Sequence, residues 1–432
     1  MNFYKSIFLI SAVSFVVIFA GCVSQEPLPS AVYANNYSAL TTAEQRAISP
    51  NNKSLSKQEI ISTALAGNPG YKKAQYKADY ERAKYYEALG GFSPVVSAAA
   101  STGQTGSTAG VSANYQAFSG GTTVMNVLAA QSKAEQSEWN VKDYRRKLTQ
   151  NIIEQDNQLS QDSSYFNIQK ANEKFQSEMA KETIQKYHKG KASKADVLNF
   201  KIQALAAKNA ALTAENDYKI NSYKLSASMG LTTAELPKNT EIEKVPTNDE
   251  YNKESIPGVN FYLDKAIAMR PDLKAQRDAL KAAGYALYSA WGSFLPVINI
   301  GLSNSSLLLG SSLYLWKGGS RIAAVRSQEA LFDIQQEILL EKWNNVVRNV
   351  RTEHNKLTTS TASKKILDQA AKTALQRRNL VFKEYNAGKT DITTLNQAQK
   401  KLIKAEQSHK QAEIDVLNAK AGLNAACGVP LF

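Results

Sequence analysis

The second half of this 432-residue chain repeats the first, and this duplication constrains the fold more than any other feature. The matching pairs, in chain order, are Pro69 with Pro271, Pro94 with Pro296, Gly120 with Gly318, and Gly190 with Gly388. The first two pairs are 202 residues apart and the last two are 198 apart. The length difference therefore lies between the second and third pairs, where a turn can absorb it.

Each half predicts the same order of elements: a helix, two strands, a long helix and a further helix. The predicted helices are 56–91, 122–186 and 191–228 in the first half, and 261–292, 321–386 and 391–426 in the second. The chain divides into a signal peptide (1–21), an extended N-terminal arm (22–55), a first repeat (56–231), a linker (232–258) and a second repeat (259–432).

The helix lengths favour an elongated coiled coil over a compact globule. At 1.5 Å per residue, a helix of about 65 residues spans ~100 Å, and the two shorter helices of each half together span about the same length. Apolar or alanine side chains recur in steps of three and four from Leu395 to Ala426 and from Val197 to Ser228. This spacing is typical of helices that coil around one another, so we predict a helical tube.

Between the first and second helix of each half, apolar residues alternate with small or polar ones. In the second half, the apolar residues predicted to share one face are Ile298, Ile300, Leu302, Leu307, Leu309, Leu313 and Leu315. A turn is predicted at Asn304-Ser305-Ser306, and the first half alternates in the same way with smaller side chains. Alternation with period two predicts two strands per half, four in all.

Strands of this length approach the roughly 9–11 residues that cross a bilayer at a tilt. Four strands cannot close a barrel, and an open edge in lipid leaves backbone groups without partners. Three chains would supply about twelve strands, within the range of outer-membrane barrels. We therefore predict a mostly α-helical homotrimer in which a twelve-stranded barrel stands on a coiled-coil tunnel. The alternative is a soluble hairpin that caps a helical rod.

The N-terminus indicates export. Lys5, an apolar run at 7–20 and Gly21-Cys22 form a secretory signal that resembles the end of a bacterial lipobox. We therefore predict lipidation at Cys22, and Val23 after it favours the outer membrane. A lipidated Cys22 would leave Cys427 without a partner for an intramolecular disulfide.

The composition and motifs argue against several functions. The formal charge of +14 fits a solvated basic face, and the export signal argues against nucleic acid as a partner. The three histidines are far apart, so no metal site is expected. The chain has neither a P-loop nor a GxSxG motif, and we predict no enzyme activity and no cofactor.

The order of these features resembles the TolC-like outer-membrane efflux proteins. The resemblance is carried by the helix starts Asn68-Pro69 and Arg270-Pro271, the strand–helix corners Pro94, Gly120, Gly121, Pro296, Gly318 and Gly319, and the Tyr-x-x-Gly turns. It implies a trimeric exit duct of a tripartite efflux or type I secretion system, anchored in the outer membrane of a Gram-negative bacterium and extending into the periplasm. It also implies a periplasmic adaptor and an inner-membrane transporter of the resistance-nodulation-division (RND) or ABC type as partners.

The resemblance further implies that the two Tyr-x-x-Gly turns form periplasmic tips, where the tunnel closes and the adaptor docks. The residues concerned are Tyr187, Gly190, Asp196, Tyr385, Gly388, Asp391, Thr393 and Asn396. Thr393 and Asn396 stand where some members carry acidic rings, so a strongly cation-selective constriction is not expected. The alternative function is a lipid-anchored periplasmic coiled-coil adaptor or structural protein, although adaptors usually lack two equal halves.

Overall fold

A computed structural model describes residues 54–103, 106–231, 235–236, 241–242, 256–303, 306–315 and 317–429. The predicted signal peptide and the predicted lipidation site Cys22 lie outside these residues, as do most of the arm and linker. Where the arm and linker are described, they meet: Ser54 and Leu55 pair in parallel with Glu241 and Ile242.

Apart from one 3-10 turn in the first half, the two halves contain the same elements in the same order, which confirms the predicted duplication. In the first half they are β1 (Ser54–Leu55), α1 (Lys57–Gly67), α2 (Pro69–Leu89), a 3-10 turn (Gly90–Phe92), β2 (Val95–Gly103), β3 (Gly106–Phe118), α3 (Thr122–His188) and α4 (Lys194–Ser228). In the second they are β4 (Glu241–Ile242), α5 (Val259–Met269), α6 (Pro271–Gly292), β5 (Val297–Ser303), β6 (Ser306–Ser312), α7 (Ser320–Asn386) and α8 (Ile392–Ala426).

The first predicted helix of each half is wrong in one respect, because the chain divides it in two. Asn68 and Arg270 adopt extended backbone angles, with ψ of 119° and 121°, and each separates a short helix from a longer one. A proline follows each of them, and proline disfavours helical angles in the residue before it. Proline itself is tolerated as the first residue of the next helix, so the helix restarts at Pro69 and at Pro271.

The four strands form one antiparallel sheet in the order β2-β3-β5-β6. The hairpin of the second half is shorter than that of the first, with strands of 7 residues against 9 and 13. The length difference between the halves therefore lies at the hairpins, as predicted. The predicted extent of the last strand is wrong, because β6 ends at Ser312 and Leu313 and Leu315 lie beyond it.

The helices pack lengthwise, with α3 against α2, α4 and α6, and α7 against α6 and α8. The predicted seam of α8 is confirmed, since Leu395, Ala398, Leu402 and Leu423 are buried. Three apolar clusters hold the bundle: two lie near the breaks at Asn68 and Arg270, and the third lies near Gly190 and Gly388.

Candidate functional site

The sheet has one apolar and one small or polar face. Opposite residues in neighbouring strands share a face, and the pairs Ile300–Leu309, Leu302–Leu307 and Tyr115–Ile300 place large apolar residues together. In the first hairpin the same face carries two cross-strand pairs, Val96–Ala113 and Ala98–Val111. The predicted residues Ile298, Ile300, Leu302, Leu307 and Leu309 therefore lie on one face, as their alternation indicated.

The other face of the sheet is mostly small or polar, with Ser97, Ser112, Asn114, Asn299, Gly301 and Gly310, and it also carries Val95, Val297 and Leu308. The hydroxyls of Ser97 and Ser112 lie 2.9 Å apart and are hydrogen bonded across the first hairpin. A bulge between Gln116 and Phe118 keeps Phe118 opposite Ile298, because one extra residue reverses the alternation. A sheet with these two faces can separate lipid from water.

The outer edges of this sheet have no strand partner among the described residues, because β2 and β6 each pair on one side only. The sheet is also exposed on both sides, with Leu309 76% accessible on the apolar face and Leu308 62% accessible on the opposite face. An isolated sheet of this kind leaves apolar surface and backbone hydrogen-bonding groups uncovered. The sheet is therefore incomplete as a single chain.

Gly190 and Gly388 end the two long helices with the same geometry. The backbone φ angles are 67° and 71°, a left-handed conformation that favours glycine. Each tip is closed by a pair of backbone hydrogen bonds: Gly190 to Tyr187 and Lys191 to Lys186 in the first, Gly388 to Tyr385 and Lys389 to Glu384 in the second. This is the Schellman arrangement, which satisfies the last carbonyls of a helix.

The helix that follows each tip begins with a side-chain cap. Ser193 caps α4. Its backbone N–H and its hydroxyl donate hydrogen bonds to the carboxylate of Asp196, at 3.1 and 2.7 Å. Asp391 caps α8 and accepts from the backbone N–H of Thr394 at 2.7 Å. The side-chain and backbone hydrogen bonds from Thr394 lower the pKa of the Asp391 carboxyl. Both acidic residues therefore stabilise the turns in which they stand.

A compact core joins the two tips. Phe200 of α4 is fully buried and meets the ring of Tyr385 edge to face, with 6.2 Å between ring centroids. Phe175 and Phe382 make a similar contact at 6.0 Å, and Leu395 is completely buried in the same cluster. The hairpin α3–α4 and the hairpin α7–α8 are thus held together next to their turns.

The structure places the remaining predicted tip residues differently from one another. Tyr187 is 42% exposed and Thr393 is exposed, as surface contacts require. Asn396 is buried with 6% accessibility, and its side-chain oxygen has no hydrogen-bond partner among the residues that the structure describes. One helical turn after Asn396, the side-chain oxygen of Gln399 accepts a hydrogen bond from Arg378 at 2.9 Å. Asn396 therefore faces the helix bundle within one chain.

Sequence reasoning missed a row of buried polar side chains along α3. Asn157 is fully buried, donates to Asn418 of α8 at 2.7 Å and accepts from Lys57 at 3.1 Å. Asp162 accepts from Asn221 of α4 at 2.6 Å. The sequence shows only polar residues within a long helix, and their partners lie far away in the chain.

No described helix combines the length and apolar composition needed to cross a membrane. No group of three or more histidine, cysteine, aspartate or glutamate side chains in the described segments could hold a metal ion.

The model of the outer membrane efflux protein family matches residues 60–231 and again residues 262–429. The chain belongs to the outer membrane efflux protein family. The two matched segments coincide with the two repeats, so each half carries the family's features by itself.

Solved structures show the same fold at low sequence identity. The outer-membrane channel OprN is 16% identical, with a TM-score of 0.76 over 87% of this chain and 90% of its own. The outer membrane protein VceC from Vibrio cholerae is 16% identical, with a TM-score of 0.75 over 87% and 97%. The Campylobacter jejuni CmeC outer membrane channel is 13% identical, with a TM-score of 0.74 over 86% and 85%. No curated protein sequence matches the chain.

Family membership confirms the predicted fold class and the location in the Gram-negative outer membrane, with extension into the periplasm. It also confirms the interpretation as an outer-membrane efflux channel over that of a lipid-anchored coiled-coil adaptor. The efflux protein family is one of passive channels.

Proposed function

We propose that three copies of this chain form a passive exit duct, opened by a periplasmic adaptor and an inner-membrane transporter. The single observation that carries the proposal is the four-stranded sheet, with its apolar face, its mostly polar face and two edges that have no strand partner in the described part of the chain. Closure removes the edges and places the apolar face against lipid and the polar face against water. The helices continue the wall of the duct into the periplasm.

In this duct, the apolar face of β5 and β6 contacts outer-membrane lipid, and Ser97, Ser112, Asn114 and Asn299 line a wet interior. The strand–helix corners carry glycine pairs with left-handed backbone at Gly120, Gly121, Gly318 and Gly319, which fits the abrupt change from strand to helix. We also propose that Cys22 is acylated and anchors each copy to the membrane.

The tips near Gly190 and Gly388 are the sites proposed for adaptor docking and for closure of the duct. Tyr187, Lys189 and Lys389 are exposed there, so an adaptor can reach them without unfolding the helices. The transporter, of the RND or ABC type, then determines the cargo that enters. An RND partner would make the chain part of efflux, and an ABC partner would favour type I secretion.

The test is the assembly and conductance of the full chain extracted from outer membranes. We expect detergent to be required for extraction, a mass of three chains in detergent, and lower gel mobility before heating than after. Planar bilayers should then show channels. A monomer that dissolves in water once Cys22→Ala removes the anchor would contradict the proposal. Photocrosslinking from Lys189 and Lys389, followed by mass spectrometry, identifies the adaptor.

A further inference from the structure

A pocket of about 430 Å³ lies between α1, α3, the helix break at Arg270 and the residues that follow α8. Its lining includes no residue of the sheet or of the two tips. We propose that this pocket binds an amphipathic acid, a molecule with an aliphatic body and one acidic group. All of the lining residues belong to a single chain, so the inference goes beyond the proposed duct and does not depend on the trimer.

The wall of the pocket suits the apolar body of such a ligand. Its apolar lining residues are Ile61, Leu65, Trp139, Met269, Pro271 and Val429. Thr149 is the only uncharged polar side chain in this lining, and it is 7% exposed. A polar group placed against this wall would lose its hydrogen bonds to water without replacement. The volume lies within the roughly 300–1,000 Å³ that is typical of small-molecule pockets.

The charged side chains of the pocket are all cations: Lys142, Arg145 and Arg146. Arg146 is engaged by the fold, because its guanidinium donates to the carboxylate of Asp143 at 2.7 and 3.0 Å and to the carbonyl of Ala425 at 2.8 Å. Lys142 and Arg145 are exposed, and neither forms an ion pair with a carboxylate of the described residues. These two cations can therefore hold an acidic group at the rim.

The carboxylates near the rim have partners of their own. Three of them form ion pairs with N–O distances of 2.7 or 2.8 Å: Asp143 with Lys147, Glu138 with Arg82, and Asp278 with Lys281. A fourth, Glu135, accepts a hydrogen bond from the side-chain amide of Gln131 at 3.0 Å. The positive charge of Lys142 and Arg145 is thus left for a group from outside the described chain.

Trp139 brings positive charge together at one end of the pocket. The Nζ atom of Lys142 lies 3.9 Å from the centroid of its ring, and the Nζ atom of Lys274 lies 4.7 Å from the same centroid. Two ammonium groups on one ring repel each other, and an acidic group beside the ring is attracted by both. The acidic group of the ligand is therefore expected at the Trp139 end.

The internal repeat shows that the fold does not require these cations. The residues of α7 that match Lys142 and Arg145 are Leu340 and Trp343. The two long helices have the same length of 67 residues, so a helix of this kind forms equally well with apolar side chains at both positions. The basic rim belongs to one half alone, and a ligand accounts for it better than helix packing does.

The test is native mass spectrometry of the full chain, purified in a neutral detergent and incubated with probes that differ only in their head group. Decanoate represents a free acid, decyl phosphate represents a lipid phosphate, and decanol is the same body without a charge. We expect one decanoate or decyl phosphate per chain and at least tenfold weaker binding of decanol. A preference for decanoate identifies a free acid as the ligand, and a preference for decyl phosphate identifies a lipid.

A pair of double variants tests the rim. Lys142→Gln with Arg145→Gln should weaken binding of the preferred acid at least tenfold, because both unpaired cations are lost. Lys174→Gln with Lys181→Gln removes the same charge from exposed positions elsewhere on α3 and should bind as the native chain does. Circular dichroism checks that both double variants keep their helices.

Met269 tests the apolar wall. It is 40% exposed at the end of α5, so its substitution leaves the helix core untouched. Met269→Glu places a carboxylate against the ligand and beside the cationic rim, and it should weaken binding at least tenfold. Met269→Leu keeps an aliphatic side chain there and should bind nearly as well as the native chain.

Three results would overturn the inference. One is equal binding of decanol and the two acids, and another is equal binding of the acids by the native chain and by Lys142→Gln with Arg145→Gln. The third is a native chain that binds none of the probes. The proposed duct would survive each of them, because its own test is a trimeric mass and channel conductance.

Discussion

The guanidinium of Arg270 donates a hydrogen bond to the backbone carbonyl of Ala426 at 3.1 Å. In the other half, the side-chain amide of Asn68 donates to the carbonyl of Ser228 at 2.9 Å. The repeat relates the two donors and the two acceptors. In each half, therefore, a side chain at the break between the first two helices is hydrogen bonded to the C-terminal end of the last helix. The donor is a neutral amide in the first half and a cation in the second.

The cation makes the second closure more vulnerable to substitution. Arg270 is 5% exposed, and its guanidinium also binds Asp272 at 2.7 and 2.9 Å. Arg270→Ala would leave the Asp272 carboxylate without its ion-pair partner, although the backbone N–H of Leu273 still donates to it, and we expect a cost of roughly 3 kcal/mol. The thermal midpoint followed by circular dichroism in detergent should fall by several degrees. Arg277→Ala, on the exposed side of the same helix, should change stability by no more than about 0.5 kcal/mol.

A double variant separates the hydrogen bond from the charge. Arg270→Asn with Asp272→Asn removes both charges and keeps an amide donor where Asn68 stands in the first half. We expect it to be more stable than Arg270→Ala, because no unpaired carboxylate remains. A double variant as unstable as Arg270→Ala would show that packing of the arginine stem, rather than charge, dominates.

The pH dependence of this closure has a definite sign. Burial raises the pKa of the Asp272 carboxyl, but the hydrogen bonds and charge of Arg270, with the charge of Arg146, outweigh it and lower the pKa overall. The stabilisation is therefore present above the unfolded pKa of about 3.9 and is lost as the pH falls through the folded pKa. Comparing thermal midpoints of the native chain and Asp272→Asn should show a difference that narrows below about pH 4. A constant difference would mean that the ion pair contributes nothing.

Cys427 should resist alkylation in the folded protein. Burial raises the pKa of its thiol to about 11, although nearby Lys265 and Arg270 act in the opposite direction. At pH 8 the thiolate fraction is then about a thousandth, against roughly a quarter for an unperturbed thiol. Labelling with a maleimide, followed by mass spectrometry of the C-terminal peptide, should be at least a hundredfold slower than after denaturation. Comparable rates would mean that the cluster around Ala266 and Leu273 opens readily.

The duplication made most of the fold predictable, because matched positions fixed the element order and the place of the length difference. Local rules also explain the tips, since a glycine after a long helix indicates a Schellman turn. The helix breaks at Asn68 and Arg270 could have been read from the prolines that follow them. The early end of β6 and the burial of Asn396 could not be predicted from the sequence. Both depend on which residues from distant parts of the chain pack next to them.

The tip glycines predict a local rather than a global effect. Gly388 has a φ of 71°, and a β-branched residue there costs on the order of 1–3 kcal/mol. Gly388→Val should therefore accelerate hydrogen exchange about tenfold in the tip peptide spanning 384–391, which contains the bonds to Tyr385 and Glu384. Gly388→Asn is the matched variant, because asparagine tolerates left-handed backbone, and it should exchange nearly as slowly as the native chain. Equal acceleration in both variants would argue against strain as the cause.

The ion selectivity of the duct tests whether the departure from acidic rings matters. The first turn of α8 contains no acidic residue, and Asp391 at its cap is engaged by Thr394. We therefore expect weak cation selectivity and no block by divalent cations in planar bilayers.

Thr393→Asp adds one exposed carboxylate per copy, three in the trimer, and carboxylate rings favour cations. It should raise the cation preference and introduce divalent block. Asp391→Asn is the control, since asparagine also caps helices well, and it should change selectivity little. Strong cation selectivity in the native duct would show that carboxylates elsewhere in its wall determine the electrostatic potential inside it.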